Sequence, residues 1–149
     1  MKRYGTILRA ALVTGVAAAA LAGCAMMSTA NTASFSGTMN GASEVPPNPS
    51  RGSGLAEATF DKGTNVLKYK IVYSGLTGPA TMAHFHGPAS AGANAGVVLP
   101  FPTAASPIEG QATLTATQAA DLMAGKWYAN VHTAAHPGGE IRGQLLPKM

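Results

Sequence analysis

Glycine and proline interrupt the chain repeatedly after residue 35, and between the interruptions apolar and polar side chains alternate. VLKYKIVY is the sharpest case: Leu67, Tyr69, Ile71 and Tyr73 fall on one face of an extended strand, while Lys68 and Lys70 point the other way. Turn residues spaced about ten apart, with period-two alternation between them, describe a sandwich or barrel of short strands. GLAEATF is expected to pair with VLKYKIVY across DKGTN, where Gly63 would supply a positive φ. SFSGTMNG precedes this hairpin. SEVPPNPSRGSG, between the two, cannot be a central strand, because Pro46, Pro47 and Pro49 lack amide donors. Further strands are expected over 81–86, 97–100, 108–114, 127–132 and 140–145. One short helix is expected in TATQAADLMAGK, with Thr115 as N-cap, Gln118 completing a capping box and Gly125 at the stop. It reads as a crossover covering one end of the sandwich.

The first residues belong to a different kind of segment. MKRYGTILRAALVTGVAAAALAGC has the basic start, apolar run and small-residue end of an export signal. The run from Ala10 to Ala22 is short for a membrane span, which needs roughly 20 apolar residues. Leu21-Ala22-Gly23-Cys24 resembles the bacterial lipobox, in which a signal peptidase cleaves before a diacylglyceryl-modified cysteine. The expected organisation is a signal peptide over 1–23, a lipidated tether over 24–33 and a single domain over 34–147. Cys24 is the only cysteine, so an internal disulfide is excluded and lipidation is the use that explains it. The expected place is the bacterial cell envelope, with the lipid in the membrane. Ala25, rather than Asp, after Cys24 is compatible with an outer membrane and a domain facing the periplasm.

Loss of residues 1–23 removes Lys2, Arg3 and Arg9, so seven basic residues remain against six acidic ones. The mature charge is then only +1, with no clustered basic face, and nucleic-acid binding is not expected.

GASEVPP, LKYKIVYSGLTGP, MAHFHGPA, GVVLPF and WYANVHTAAHPGGEIRGQL occur in this order, and together they resemble the CHRD domain, named for chordin. That domain also occurs singly in secreted or lipid-anchored bacterial proteins. The resemblance implies an all-β Greek-key sandwich, immunoglobulin-like or superoxide-dismutase-like, with one short helix. It implies little about activity. In animals the repeats belong to an extracellular antagonist of growth factors, but this chain carries one copy, so avidity through tandem repeats is not implied.

All four histidines lie in two of these blocks, as H-x-H at His84 and His86 and as H-x₃-H at His132 and His136. Residues i and i+2 of a strand share a face about 6.5–7 Å apart, so the imidazoles of His84 and His86 can converge on one metal ion. Met82 falls on the same face. Should the strands carrying the two blocks be neighbours, three or four imidazoles surround one point. Neutral nitrogen ligands with a thioether in reach suit copper first and zinc second, and an exported protein meets copper outside the cytosol. An H-x-H pair and a later histidine on a β-sandwich also bind copper in copper–zinc superoxide dismutase, an analogy of fold only. The dense His/Asp loop that holds zinc there is missing here. The competing reading makes the histidines structural, their nitrogens satisfying the backbone of the loop GPASAGANAG, in a non-enzymatic module that binds an envelope protein or polymer.

Around the histidines, Asn130 and Thr133 are candidates to orient an imidazole by hydrogen bonding. Glu140 and Arg142 share a strand face and can pair with each other or reach the loops near His132. Glu44 is a further candidate contact. Trp127 and Val131 face the other way, into the core. No G-x-S-x-G elbow, carboxylate pair, phosphate-binding loop or CxxC marks the chain as an enzyme.

Overall fold

The computed structural model describes residues 31–148. The expected signal peptide, Cys24 and the tether as far as residue 30 lie outside the described residues, while Thr32 and Ala33 of the expected tether belong to the first strand. Among the described residues eight strands form: β1 (Thr32–Asn40), β2 (Ser53–Asp61), β3 (Val66–Ser74), β4 (Ala80–His86), β5 (Val97–Pro100), β6 (Ile108–Thr113), β7 (Trp127–Thr133) and β8 (Ile141–Pro147). One helix, α1 (Ala116–Met123), separates β6 from β7, and a 3₁₀ turn at Gly41–Ser43 follows β1. The all-β expectation is met.

The strands join in a single sheet in the order β5-β4-β7-β8-β1-β2-β3-β6, and each pairing is antiparallel. Although β3 and β4 stand near opposite ends of that order, Tyr69 of β3 meets Phe85 of β4 edge-on with ring centroids 5.3 Å apart. The sheet is therefore curled until its two halves face each other. Its inner face is the alternate set of residues: Phe35 and Met39, Ala56 and Phe60, Leu67 and Ile71, Ala83 and Phe85, Trp127, Ala129 and Val131, Ile141 and Leu145. Period-two alternation thus becomes a packed core, which is why the pattern in the sequence was informative.

Two local details fix the sheet. β1 and β8 approach so closely that a Cβ on Gly37 would lie 2.4 Å from the carbonyl oxygen of Gln144, and one on Gly143 would lie 2.7 Å from that of Thr38. No side chain fits at either place. In the β2–β3 hairpin, the Asp61 carboxylate accepts from the amides of Gly63 and Thr64 at 2.8 and 3.0 Å. The left-handed residue is Asn65, with φ of 58°, and not Gly63 as expected. Asparagine tolerates that conformation, so the left-handed position falls two residues later.

α1 carries the expected capping box. Thr115 accepts from the Gln118 amide at 3.2 Å, the Gln118 side chain accepts from the Thr115 amide at 2.9 Å, and Gly125 adopts φ of 68°. Leu122 points from the helix into the core.

The polar residue that binds most segments together is Glu140, immediately before β8. It is fully buried. Its Oε1 accepts from the Ser50 hydroxyl at 2.6 Å and the Thr77 amide at 2.8 Å, and its Oε2 accepts from the Thr77 hydroxyl at 2.8 Å and the Thr133 hydroxyl at 2.6 Å. Burial opposes ionisation, but the hydrogen bonds from Ser50, Thr133 and Thr77 outweigh it and hold the carboxyl at about 2. A folded-state value below the ordinary 4.5 adds stability above pH 4.5, and that stability is lost as pH falls toward 2. Glu140→Gln should therefore lower unfolding stability by on the order of 2 kcal/mol at pH 7, with the deficit against wild type shrinking below about pH 4. Urea denaturation across pH measures this; a deficit that stays constant from pH 7 to pH 3 would show that the charge is not what matters.

Candidate metal centre

The site is built on the outer face of the β4–β7 pair. In that antiparallel ladder Met82 lies opposite His132, His84 opposite Asn130 and His86 opposite Tyr128. Phe85 and Ala83 turn inward with Trp127, Ala129 and Val131, so His84, His86, Tyr128, Asn130 and His132 share the outward side. Outward here does not mean solvated. Every residue of β7 is buried, because the loop after β4 and the turn after β7 fold over this face.

Three imidazoles meet there. His84, His86 and His132 each offer a ring nitrogen, and these nitrogens all lie within 4.8 Å of one another. His84 Nδ1 is 3.2 Å from His132 Nε2, close to the edge of roughly 3.3 Å between two nitrogens on a tetrahedral ion bound at about 2.0–2.1 Å. Backbone carbonyls orient two of the rings: His86 Nδ1 lies 3.0 Å from Ala95 O, and His132 Nδ1 lies 2.9 Å from Pro137 O. Both carbonyls can only accept, so the proton sits on Nδ1 and the lone pair of Nε2 faces the centre. Burial holds the pKa of His84 below the ordinary histidine value, and the neighbouring rings of His132 and His86 push the same way. Burial lowers that of His132 as well, against the opposing bond to Pro137. Uncharged rings with converging lone pairs can chelate a cation.

Asn130 sits between the rings. Its Oδ1 is 3.0 Å from both His86 Nε2 and His132 Nε2. Behind it lies Glu44, buried at 5 % exposure, whose carboxyl burial pushes up to about 7 while Arg142 and the hydrogen bonds from Val45 and Asn130 oppose the rise. Glu44 Oε1 has no hydrogen-bond partner among the described residues. Room for this carboxyl exists because residue 139 is glycine: with φ of 130°, a Cβ there would lie 2.4 Å from Glu44 Oε1.

The loop over the site is fastened by Arg142. This side chain is fully buried, and its guanidinium lies 3.4 Å from the Tyr128 ring centroid. The opposite partner of that ring is His86, stacked at 4.8 Å with 3° between the planes. Arg142 also donates to Asn94 Oδ1 at 3.0 Å and to Ala93 O, and the Tyr128 hydroxyl lies 3.2 Å from the Ala95 amide. GPASAGANAG is thus a cover held by named bonds, and the ring of His86 is clamped by the same stack.

The remaining expected residues are placed as follows. His136 lies in the turn after β7, outside the histidine trio, and lines a cleft of about 250 Å³ with Glu44 and Pro46. Met82 is on the histidine face but half-exposed. Thr133 donates to Glu140 and accepts from the His136 amide at 3.2 Å; no imidazole bond runs through it. Glu140 and Arg142 do not pair, because the hydroxyls of Ser50, Thr77 and Thr133 saturate the carboxylate and the guanidinium is drawn to Tyr128 and the loop. Tyr128 was the participant that sequence reasoning missed. Its position two residues before Asn130 on the same face was the available signal.

Arg142→Ala should release the loop: backbone amide exchange at Ala93 to Gly96 should accelerate by at least tenfold, with a stability loss of about 2–4 kcal/mol for the vacated, hydrogen-bonded buried site. Exchange rates in that segment equal to wild type would rule out the clamp.

A family model for the CHRD domain matches residues 35–145. No curated protein and no solved structure matches the chain. The match runs from the first core residue of β1 to the last of β8, which is the whole curled sheet, histidine face included. The chain belongs to the CHRD domain family.

Proposed function

We propose that this is a cell-envelope protein, exported and lipid-anchored through Cys24, whose CHRD domain binds a transition-metal ion, copper in the first instance and zinc as the alternative, at His84, His86 and His132. The observation that carries the reading is the convergence of three ring nitrogens within 4.8 Å on a face where backbone carbonyls accept hydrogen bonds from Nδ1 of two rings. Imidazole nitrogen suits copper and zinc, and no carboxylate belongs to the trio, which disfavours calcium and magnesium. Met82, on the same face, is the one soft sulfur donor that a shift toward Cu(I) would recruit. Storage, transfer or sensing of the ion follows more naturally than turnover, because the centre lies beneath a tied-down loop. An envelope protein that delivers or receives the ion is the partner this role implies.

The purified chain should take up one equivalent of Cu²⁺, with His84→Ala and His132→Ala each weakening binding by at least 100-fold in a competition titration. Copper uptake unchanged in both variants, or none in wild type, would leave the histidines as structural residues of an interaction module. For the anchor, labelled palmitate should enter the wild-type protein expressed in a bacterium and be absent from Cys24→Ser; equal labelling would exclude lipidation at that cysteine.

A further inference from the structure

The hydrogen-bonding account at Asn130 does not close with protein atoms alone. With Nδ1 of His86 and of His132 each donating to a carbonyl, a neutral ring has only a lone pair left at Nε2. Both Nε2 atoms nevertheless lie 3.0 Å from Asn130 Oδ1, another acceptor. His84 Nδ1 adds a nitrogen 3.2 Å from His132 Nε2. The lone pairs of His86 Nε2, His132 Nε2 and Asn130 Oδ1 converge here at hydrogen-bond distance, and their repulsion is relieved by a cation placed between them.

Turning the amide over would also relieve it, by presenting Nδ2 to the rings. Glu44 opposes that. Its buried carboxyl lies behind the amide: a Cβ on Gly139 would meet Glu44 Oε1 at 2.4 Å and Asn130 Nδ2 at 2.9 Å, so the amide nitrogen is on the Glu44 side. A turned amide would set Oδ1 there instead, oxygen beside oxygen. The orientation of Asn130 is therefore fixed from behind, with oxygen inward.

Resting on the metal reading above, we propose that Asn130 Oδ1 is the fourth donor to the ion, completing a closed N₃O set with His84 Nδ1, His86 Nε2 and His132 Nε2, and that Glu44 is the positioning residue that keeps this oxygen turned toward it. Three of the six separations in this set, 3.0, 3.0 and 3.2 Å, are near the edge of roughly 3.3 Å for a tetrahedron with ligands at about 2.0–2.1 Å, and the three nitrogens all lie within 4.8 Å of one another. With all four corners supplied by protein, the ion has no vacant position for an exogenous ligand.

The test uses the purified chain loaded with Cu²⁺, read by competition titration and by electron paramagnetic resonance before and after addition of azide. Wild type should show no azide-induced change. Asn130→Ala should bind Cu²⁺ about 10–100-fold more weakly and should acquire an azide-dependent spectrum, because a corner has opened. Asn130→Asp, which keeps an oxygen donor, should remain silent to azide. Glu44→Gln, which removes the carboxylate without touching the ligands, should shift the copper spectrum and weaken binding several-fold; should Asn130→Ala fail to fold, this variant decides the matter. Affinity and azide silence unchanged in Asn130→Ala, or an unaltered spectrum in Glu44→Gln, while His84→Ala abolishes binding, would overturn the fourth donor and leave the three-histidine centre standing. Failure of wild type to bind Cu²⁺ would overturn both.

Discussion

The pairing register of β4 with β7 is the constraint on which the histidine centre depends. His84 opposite Asn130 and His86 opposite Tyr128 bring the H-x-H pair beside the second histidine block on one face of one ladder. Because successive side chains of a strand alternate between faces, a slip of a single residue would carry His84 and His86 into the core and turn Phe85 out. The register is therefore enforced by Phe85, packed between Tyr69, Phe101 and Trp127, rather than by the polar residues themselves. Core packing sets the geometry of the outer face.

That outer face is unusual in being dry. Burying β7 on both sides requires each polar group on it to find a partner, since an unsatisfied buried group costs about 1–3 kcal/mol. Glu140 and Arg142 meet this requirement with several bonds apiece, and the Nδ1 atoms of His86 and His132 with one each. The ion pairs Lys70–Glu109 and Lys148–Glu57 are roughly half-exposed and solvent-screened, so they contribute little. Stability and site architecture thus rest on the same few buried polar residues. Among the described residues the buried Glu44 Oε1 and Gln144 Oε1 lack a hydrogen-bond partner, and Glu44 adjoins Asn130, around whose Oδ1 the facing acceptors lie.

Strand identities were legible because each strand buries one face, which writes a period of two into the sequence; β5, expected over 97–100, has those bounds in the structure. The capping box of α1 was legible because it involves residues three apart in sequence. Reading failed where the outcome turned on a contact from elsewhere. Gly63 was the natural residue for a positive φ, yet Asn65 takes it, because Asp61 captures the amides of Gly63 and Thr64 and sets the turn. Between the alternatives left open for Thr133, Glu140 and Arg142, the choice falls to Ser50 and Thr77, which supply hydrogen bonds to Glu140 and are remote in sequence from the strand they join.

The sequence by itself determined the class of fold, the sites of its turns and which histidines share a strand face, since these follow from local periodicity and backbone conformation. Only the tertiary structure decided that His132, and not His136, joins His84 and His86, and that Asn130 presents its oxygen to the rings with Glu44 behind it. The reason is physical: alternation along a strand fixes a side chain's direction, whereas its neighbours across the sheet and beneath the loops are chosen by how the whole chain packs.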